Sequence, residues 1–244
     1  MFHIEMVGQT DVGIRRTNNE DIFVVLPERR VAAVADGMGG QASGEVASAI
    51  FADTVRELFG DSRECDGEAM AELVAESFRL ANERIIKMSD EQPHHHGMGC
   101  TAELIVFHGD RYVLGHVGDS RSYLFRQGVL SQVTKDHSLI QEQVDHGLIT
   151  PSQARNHTFK NVILRAVGVE EALAMDLLRG ECRPGDLFLL CSDGLSDMVE
   201  DDRIADALGR PLTLPQKAGR LIELAKIGGG RDNITVVLCE VPAP

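Results

Sequence analysis

Basic patches and long hydrophobic runs are both missing from this sequence. Its 244 residues include only 24 Lys and Arg against 38 Asp and Glu, which gives a formal net charge of -14. Such a charge repels nucleic acids and anionic membrane surfaces, and the densest basic run is only Arg15-Arg16. No apolar run approaches the roughly 18 residues that cross a bilayer, and no basic leader precedes one. We therefore expect a cytoplasmic protein that binds neither nucleic acid nor membrane.

Cysteine is scarce and scattered. The five cysteines are odd in number and never adopt the paired spacing of a zinc site, so we expect free thiols in a reducing compartment. Internal repeats, low-complexity tracts and linkers are also missing. With 43% hydrophobic residues, a chain of this length can bury one sizeable core, which predicts a single domain over residues 1–244.

The apolar residues that are present follow two periodicities. β-Branched or apolar runs typical of strands occupy residues 22–26, 31–35, 102–107, 112–116, 122–125, 187–191 and 234–241. Helical spacing of apolar residues predicts helices over residues 43–59, 68–88 and 138–146, and from Pro151 and Pro215 onward. Two long helices in succession after two strands exclude a simple strand–helix alternation and favour an α+β fold with largely antiparallel sheets. Residues 139–168 are the least patterned, and we expect them to form a surface excursion of the same domain.

Five acidic residues stand at predicted strand boundaries beside glycine or asparagine. They are Glu20, Asp36, Asp119, Asp193 and Asp232. A single Asp-Gly pair is more often a turn than a ligand, but five such acids favour a shared site at one sheet edge. Carboxylates that gather must take up protons or bind cations, and oxygen ligands without His or Cys select Mg²⁺ or Mn²⁺.

Seven motifs in order resemble those of one family, the metal-dependent type 2C (PPM) serine/threonine protein phosphatases in their compact bacterial form. The motifs are Asp11-Val-Gly-Ile-Arg-Arg16-Thr-Asn-Asn-Glu20-Asp21, Asp36-Gly-Met-Gly-Gly40, Gly99-Cys-Thr-Ala102, Val117-Gly-Asp119-Ser-Arg121, Asp136-His-Ser138, Cys191-Ser-Asp193-Gly-Leu-Ser-Asp197 and Gly230-Arg-Asp232-Asn233. The resemblance implies a four-layer α+β sandwich of two antiparallel β-sheets flanked by α-helices. It also implies a centre of two Mn²⁺ or Mg²⁺ ions at one end of the sandwich.

The same resemblance assigns a place to each acid. Asp36 would bridge both ions, the Gly37 carbonyl would bind one of them, and Asp193 and Asp232 would hold the first ion. Glu20 would reach the second ion.

Two further acids receive places from the resemblance. Asp119, with Asp193, matches positions that bind a third, weaker ion in bacterial members. Asp21 matches a residue that orients bound water without touching an ion.

The resemblance also implies the chemistry, with one gap. A water shared by the two ions would attack phosphorus directly, and the planar fork of Arg16 would bind the phosphate. The leaving oxygen needs a proton, yet Met38 and Gln41 stand where family members often carry histidine. The proton donor therefore has no assigned residue, and a water on the Asp119 ion is our hypothesis.

Several other residues have two interpretations. His94-His95-His96 could bind a metal, although a solvated loop is favoured, and His137 fits a structural role better than a chemical one. His157, Lys160 and Asn161 in the excursion match the family's flap, which lies beside the active site and contacts substrate.

The predicted function is hydrolysis of phosphoserine and phosphothreonine in regulatory proteins, opposing a Ser/Thr kinase, by a chain we expect to be monomeric. A non-catalytic signalling module that binds phosphoproteins or a partner kinase is the alternative, but such a module is expected to lose metal carboxylates that this chain retains. A nuclease would need a basic track that the sequence lacks.

Overall fold

Two antiparallel sheets organise the computed structural model, which describes residues 3–39, 43–60, 67–155 and 157–243. The strands are β1 (Glu5–Asp11), β2 (Asp21–Leu26), β3 (Val31–Met38), β4 (Gly99–Cys100), β5 (Ala102–His108), β6 (Arg111–Val117), β7 (Arg121–Arg126), β8 (Val129–Gln132), β9 (Asp176–Glu181), β10 (Leu187–Cys191) and β11 (Ile234–Glu240). One sheet has the strand order β1-β11-β10-β7-β8. The other has the order β2-β3-β5-β6-β9, with the short β4 paired to β3.

Helices cover the outer face of each sheet. The α-helices of the described residues are α1 (Gly44–Gly60), α2 (Gly67–Glu91), α3 (Leu139–Asp145), α4 (Pro151–Arg155), α5 (Asp193–Ser196), α6 (Asp201–Gly209) and α7 (Leu214–Ile227). The apolar faces of α1 and α2 pack on the six-stranded sheet, where the rings of Phe51 and Phe78 meet edge to face at 5.1 Å. The apolar faces of α6 and α7 pack on the five-stranded sheet.

A third apolar cluster fills the space between the sheets. Phe188 of β10 lies edge to face against Phe107 of β5 at 5.2 Å and against Tyr112 of β6 at 5.0 Å. These contacts stabilise the packing of one sheet on the other, because edge-to-face aromatic pairs bury a large apolar area in a defined geometry. The order helix, sheet, sheet, helix confirms the four-layer α+β sandwich.

The excursion leaves the sandwich after β8 and returns at β9. It contains the two short helices α3 and α4, which confirm the helices predicted over residues 138–146 and from Pro151 onward. Leu148 and Phe159 in this segment are 72% and 55% exposed. The excursion therefore has little apolar core of its own and depends on polar contacts with the sandwich.

Across the described residues, no helix combines the length and apolar character needed to cross a bilayer. The described cysteines Cys100, Cys182, Cys191 and Cys239 are buried and free, as predicted, while Cys65 lies outside the described residues.

Candidate metal centre

The predicted acids lie at one end of the sandwich, but they come from both sheets. In the six-stranded sheet, Glu20 precedes β2, Asp36 lies in β3 and Asp119 follows β6. Asp193 is the first residue of α5, directly after β10, and Asp232 precedes β11, so these two belong to the five-stranded sheet. The expectation that all five acids share one sheet edge is therefore wrong. The sheets stack face to face, and their ends bring the acids together.

The backbone beside Asp36 can be built only with glycine at the next position. The Gly37 N–H donates to the Glu20 carbonyl at 3.1 Å. A Cβ on Gly37 would lie 2.1 Å from the carbonyl oxygen of Gly44, at the start of α1. The glycine thus allows α1 to approach β3 closely and holds Glu20 and Asp36 on adjacent backbone segments.

Asn233 joins the two sheets at the site, a role that the sequence analysis did not assign. Its Oδ1 accepts from the Glu20 N–H at 2.8 Å, and its Nδ2 donates to the carbonyls of Val12 at 3.0 Å and Asn18 at 2.9 Å. Its own N–H donates to Asp232 Oδ1 at 2.8 Å. One amide side chain therefore fixes the segment that carries Glu20 relative to Asp232.

Ser192 makes a second link between the sheets. Its Oγ donates to Asp21 Oδ2 at 2.7 Å and accepts from the Thr235 N–H at 3.0 Å. Asp21 is in turn the register partner of Asp36 across β2 and β3. The buried Asp21 thus connects the strand of Asp36 to the strand end that carries Asp193.

Burial, with neighbouring charges second, raises the pKa values of the two central carboxyl groups, Asp36 and Asp193. At Asp36 desolvation is the main cause, followed by the charges of Asp21, Asp193, Asp119 and Asp232, and the pKa stands well above its usual value. Desolvation and the same kind of repulsion, beginning with Asp119, raise the pKa of Asp193. The clustered carboxyl groups can all be ionised at once only if cations compensate their negative charge.

Two further buried acids at the site, Asp119 and Asp21, behave in the same way. Asp119 and Asp21 are 8% and 7% exposed. Desolvation raises the pKa of Asp119 to about 7, and the charges of Asp136 and Asp197 add to this. Desolvation likewise raises the pKa of Asp21 to about 6, although its hydrogen bond from Ser192 opposes the shift.

Among the residues that the structure describes, two buried carboxylate oxygens have no hydrogen-bond partner, Asp21 Oδ1 and Asp193 Oδ1. Buried oxygens are normally paired, so these two identify a place where a cation or its water would be favourable. Within the described residues, no three or more Asp, Glu, His or Cys side chains are spaced as a finished coordination shell. The donors are hard oxygens under mutual repulsion, and they fit Mn²⁺ or Mg²⁺ once the side chains turn toward the ion. The sequence therefore predicted that the acids lie close together, but not that their side chains lack the spacing of a coordination shell.

Arg16 lies at the rim of the acidic cluster. Its Nη2 donates to Asp232 Oδ2 at 2.7 Å, and its Nη1 lies 3.8 Å from Glu20 Oε2. The guanidinium is 45% exposed, so it can reach solvent and an incoming anion. Arg16 therefore stands where a phosphate beside the acids would meet it.

The excursion contacts the sandwich beside the same acids. Lys160 pairs with Asp197, and Arg155 pairs with Glu200 while donating to the Ser196 carbonyl at 3.3 Å. Asp197 caps the C-terminal end of α5, because its N–H donates back to the Asp193 carbonyl at 2.8 Å.

The remaining residues that the sequence singled out lie in the excursion, in the histidine run and at the end of β3. His157 is partly buried, its Nδ1 accepts from the Phe159 N–H at 3.2 Å, and Asn161 is exposed. In the histidine run, His95 Nδ1 lies 3.3 Å from Ser43 Oγ. Met38 is partly buried at the end of β3, and Gln41 lies outside the described residues.

A buried ionisable pair behind Asp119 was not predicted. Glu103 and His116 are both fully buried, the glutamate accepts from Ser122 Oγ, and the His116 ring contacts the glutamate through Nδ1. Burial alone lowers the pKa of His116, but the charge and hydrogen bond of Glu103 outweigh it and raise the pKa to about 9. Burial raises the pKa of Glu103 as well, so the two groups hold a proton within one buried hydrogen-bonded pair, which fixes β5, β6 and β7 relative to one another.

Comparison with known proteins agrees with this geometry. A sequence profile of the family described as Protein phosphatase 2C matches residues 14–226. The serine/threonine protein phosphatase PstP of Mycobacterium tuberculosis is 44% identical over 238 residues, which are 98% of this chain and 45% of that protein. The chain thus spans about half the length of that relative. The serine/threonine phosphatase stp of Listeria monocytogenes is 36% identical, over 95% of this chain and 94% of that protein.

Solved structures show the same similarity in three dimensions. The crystal structure of the catalytic domain of PstP in complex with two manganese ions is 41% identical, with 98% of each chain covered and a TM-score of 0.89. The profile covers most of the chain, the identities exceed 30%, and the resemblance of the seven motifs is confirmed. The chain belongs to the protein phosphatase 2C family.

Proposed function

We propose that this chain is a metal-dependent phosphatase that hydrolyses phosphoserine and phosphothreonine in proteins. The observation that carries the proposal is the set of desolvated, mutually repelling carboxylates at the sheet ends, with the unpaired Asp21 Oδ1 and Asp193 Oδ1 among them. A phosphoprotein-binding module without catalysis would have no need for this costly arrangement. We propose that a Ser/Thr kinase supplies the substrates and that the chain acts as a monomer.

Two Mn²⁺ or Mg²⁺ ions, and a third weaker one, would be held as follows. Asp36 would bridge two ions, with the Gly37 carbonyl, Asp193 and Asp232 completing the first site. Glu20 would serve the second, and Asp119 with Asp193 the third. Ions of this kind polarise the phosphoryl oxygens and lower the pKa of bound water, which supplies a nucleophile at neutral pH.

The chain's own residues orient the reaction. Asp21, held by Ser192, keeps a carboxylate oxygen free to accept from a water beside the acids. Arg16 can exchange its ion pair with Asp232 for two parallel hydrogen bonds to a phosphate. Met38 offers no proton for the leaving oxygen, so we propose that solvent within the site supplies it.

The proposal is tested by phosphate release from a phosphothreonine peptide with and without Mn²⁺. We expect turnover with Mn²⁺, none after chelation, and recovery when Mn²⁺ is restored. Peptide that binds without turnover in saturating Mn²⁺ and Mg²⁺ would support the signalling module and overturn the phosphatase proposal.

Replacing Arg16 with alanine should weaken substrate use without removing the metal centre. We expect kcat/KM for a phosphothreonine peptide to fall by about 10- to 100-fold, since each hydrogen bond to a charged group contributes about 1.5–3 kcal/mol. Arg16→Lys should recover only part of the loss, because an ammonium lacks the planar fork. The neighbouring Arg15→Ala is the matched control and should retain nearly full activity. Equal losses in Arg15→Ala and Arg16→Ala would contradict the assignment.

A further inference from the structure

The residue before Asp119 has an unusual backbone that His137 holds in place. Gly118 has φ +111, and a Cβ there would lie 2.6 Å from the Thr101 side chain, so only glycine fits. The Gly118 N–H donates to His137 Nδ1 at 3.2 Å, and the His137 N–H donates to the Gly118 carbonyl at 2.7 Å. His137 therefore provides the hydrogen-bond partner of both the N–H and the carbonyl of Gly118.

The His137 ring is in the state that this contact requires. The ring is buried, and burial together with the nearby His116 and Arg165 lowers the pKa of His137 to about 4. The ring is therefore neutral at physiological pH. Nδ1 accepts from the Gly118 N–H, while Nε2 faces Arg165 Nη1 at 3.2 Å and Asp176 Oδ2 at 3.3 Å.

The surroundings leave the ring little freedom to move. It packs on the ring of His116 with a centroid distance of 4.5 Å, and His116 is itself fixed by Glu103 and by the Lys135 carbonyl. The His137 carbonyl accepts from the Leu164 N–H at 2.7 Å.

The preceding residue holds the other side of the Asp119 segment. Asp136 accepts two hydrogen bonds from Arg121, from Nε at 2.9 Å and from Nη2 at 2.7 Å. Arg121 lies two residues after Asp119, and Gly118 lies immediately before it. Asp136 and His137 therefore bracket Asp119 from both sides, while neither side chain hydrogen-bonds to Asp119 itself.

We propose that His137 is a positioning residue that fixes the backbone carrying Asp119 and thereby sets the affinity of the weakest cation site. This inference rests on the proposed metal-dependent function. His137 acts through Gly118 and contacts neither substrate nor ions. Residues that orient metal ligands in this way commonly change metal affinity by about 10- to 100-fold when they are replaced.

Two amide replacements separate this role from a general structural one. In His137→Asn, the Oδ1 stands as many bonds from the backbone as Nδ1 and can still accept from the Gly118 N–H. In His137→Gln, the amide reaches the Nε2 position instead and leaves that N–H unpaired. Calorimetric titration with Mn²⁺ should show the weakest affinity lowered at least about 10-fold in His137→Gln and restored to within about three-fold in His137→Asn. The tighter affinities should stay unchanged in both.

A double replacement completes the test. If His137 acts through Asp119, then His137→Gln should cause no further loss of weak Mn²⁺ binding in an Asp119→Asn background. Should His137→Gln fail to fold, Arg121→Lys loosens the opposite side of the segment and should give the same selective loss. Equal Mn²⁺ binding by the Asn and Gln variants, additive losses in the double variant, or only two ions in the wild-type protein would overturn the inference. The proposed function itself is tested by a different measurement, and it fails if the wild-type protein shows no Mn²⁺-dependent phosphate release.

Discussion

Replacement of Asp36 by asparagine is expected to lower Mn²⁺-dependent phosphate release by at least about 10³-fold and to stabilise the metal-free protein. The loss follows from the proposed bridging position, because several kcal/mol of charge stabilisation depend on it and each 1.36 kcal/mol is about ten-fold in rate. The gain follows from the removal of one carboxylate from the repulsion of Asp21, Asp193, Asp119 and Asp232. A single substitution should thus move activity and stability in opposite directions.

The measurement combines initial rates with thermal unfolding in chelator. Asp53→Asn is a suitable control, since Asp53 is an exposed residue of α1 that pairs with Arg56 at 2.8 Å, outside the acidic cluster. The control should change neither quantity appreciably. An Asp36→Asn variant that keeps its activity, or that unfolds at a lower temperature than the wild-type protein in chelator, would contradict this account.

Raising the pH from about 4 to about 8 is expected to destabilise the metal-free protein by a few kcal/mol. The folded-state pKa values of Asp21 and Asp119 are about 6 and about 7, against an ordinary value of 3.8. Carboxyl groups with raised pKa values contribute stability below the ordinary pKa and lose it as the pH rises through the raised one. Stability in chelator should therefore fall between about pH 4 and pH 7.

Added Mn²⁺ should reverse this trend. Cations bind the ionised, folded carboxylates and stabilise the fold by mass action, so the difference between Mn²⁺ and chelator should grow with pH. Urea unfolding at pH 5 and pH 8, with and without Mn²⁺, measures both effects. The Asp119→Asn variant should show a shallower loss in chelator. Stability in chelator that rises from pH 5 to pH 8 would count against the raised pKa values.

The acidic residues could be located from sequence because of the way strands end. The apolar runs before Asp36-Gly37 and Asp193-Gly194 predict rigid strands that end at these acids. The glycine in each pair lets a neighbouring backbone segment approach closely. The sequence could not show that the acids come from two sheets. That result depends on which strands pair, and the pairing of β10 with β11 and β7 is set by distant residues.

Four strands, β1, β4, β8 and β9, were not predicted, and in β1 and β9 a glycine interrupts the apolar pattern. Gly8 in β1 lies against the ring of Phe23, where a Cβ would come within 2.3 Å of the ring. Gly180 in β9 accommodates the ring of Tyr112 in the same way, at 2.5 Å. In both places the neighbouring strand supplies the apolar surface, so the signal lies in a partner far away in sequence.

The side-chain hydrogen bonds that connect the two sheets at the site could not be predicted from the sequence either. Asn233 and Ser192 act by hydrogen bonds to residues more than 170 positions away, including Glu20 and Asp21. The buried pair of Glu103 and His116 interrupts two apolar strands with ionisable groups, which burial disfavours unless both partners are present. Nothing in either strand alone indicates its partner.

The central claim is that the carboxylates at the sheet ends bind divalent cations. Anomalous diffraction from crystals grown with Mn²⁺ tests it most directly. We predict two strong peaks that share contact with Asp36, one also touching Asp193 and Asp232 and the other facing Glu20. Crystals in saturating Mn²⁺ with no anomalous peak among these carboxylates would contradict the claim.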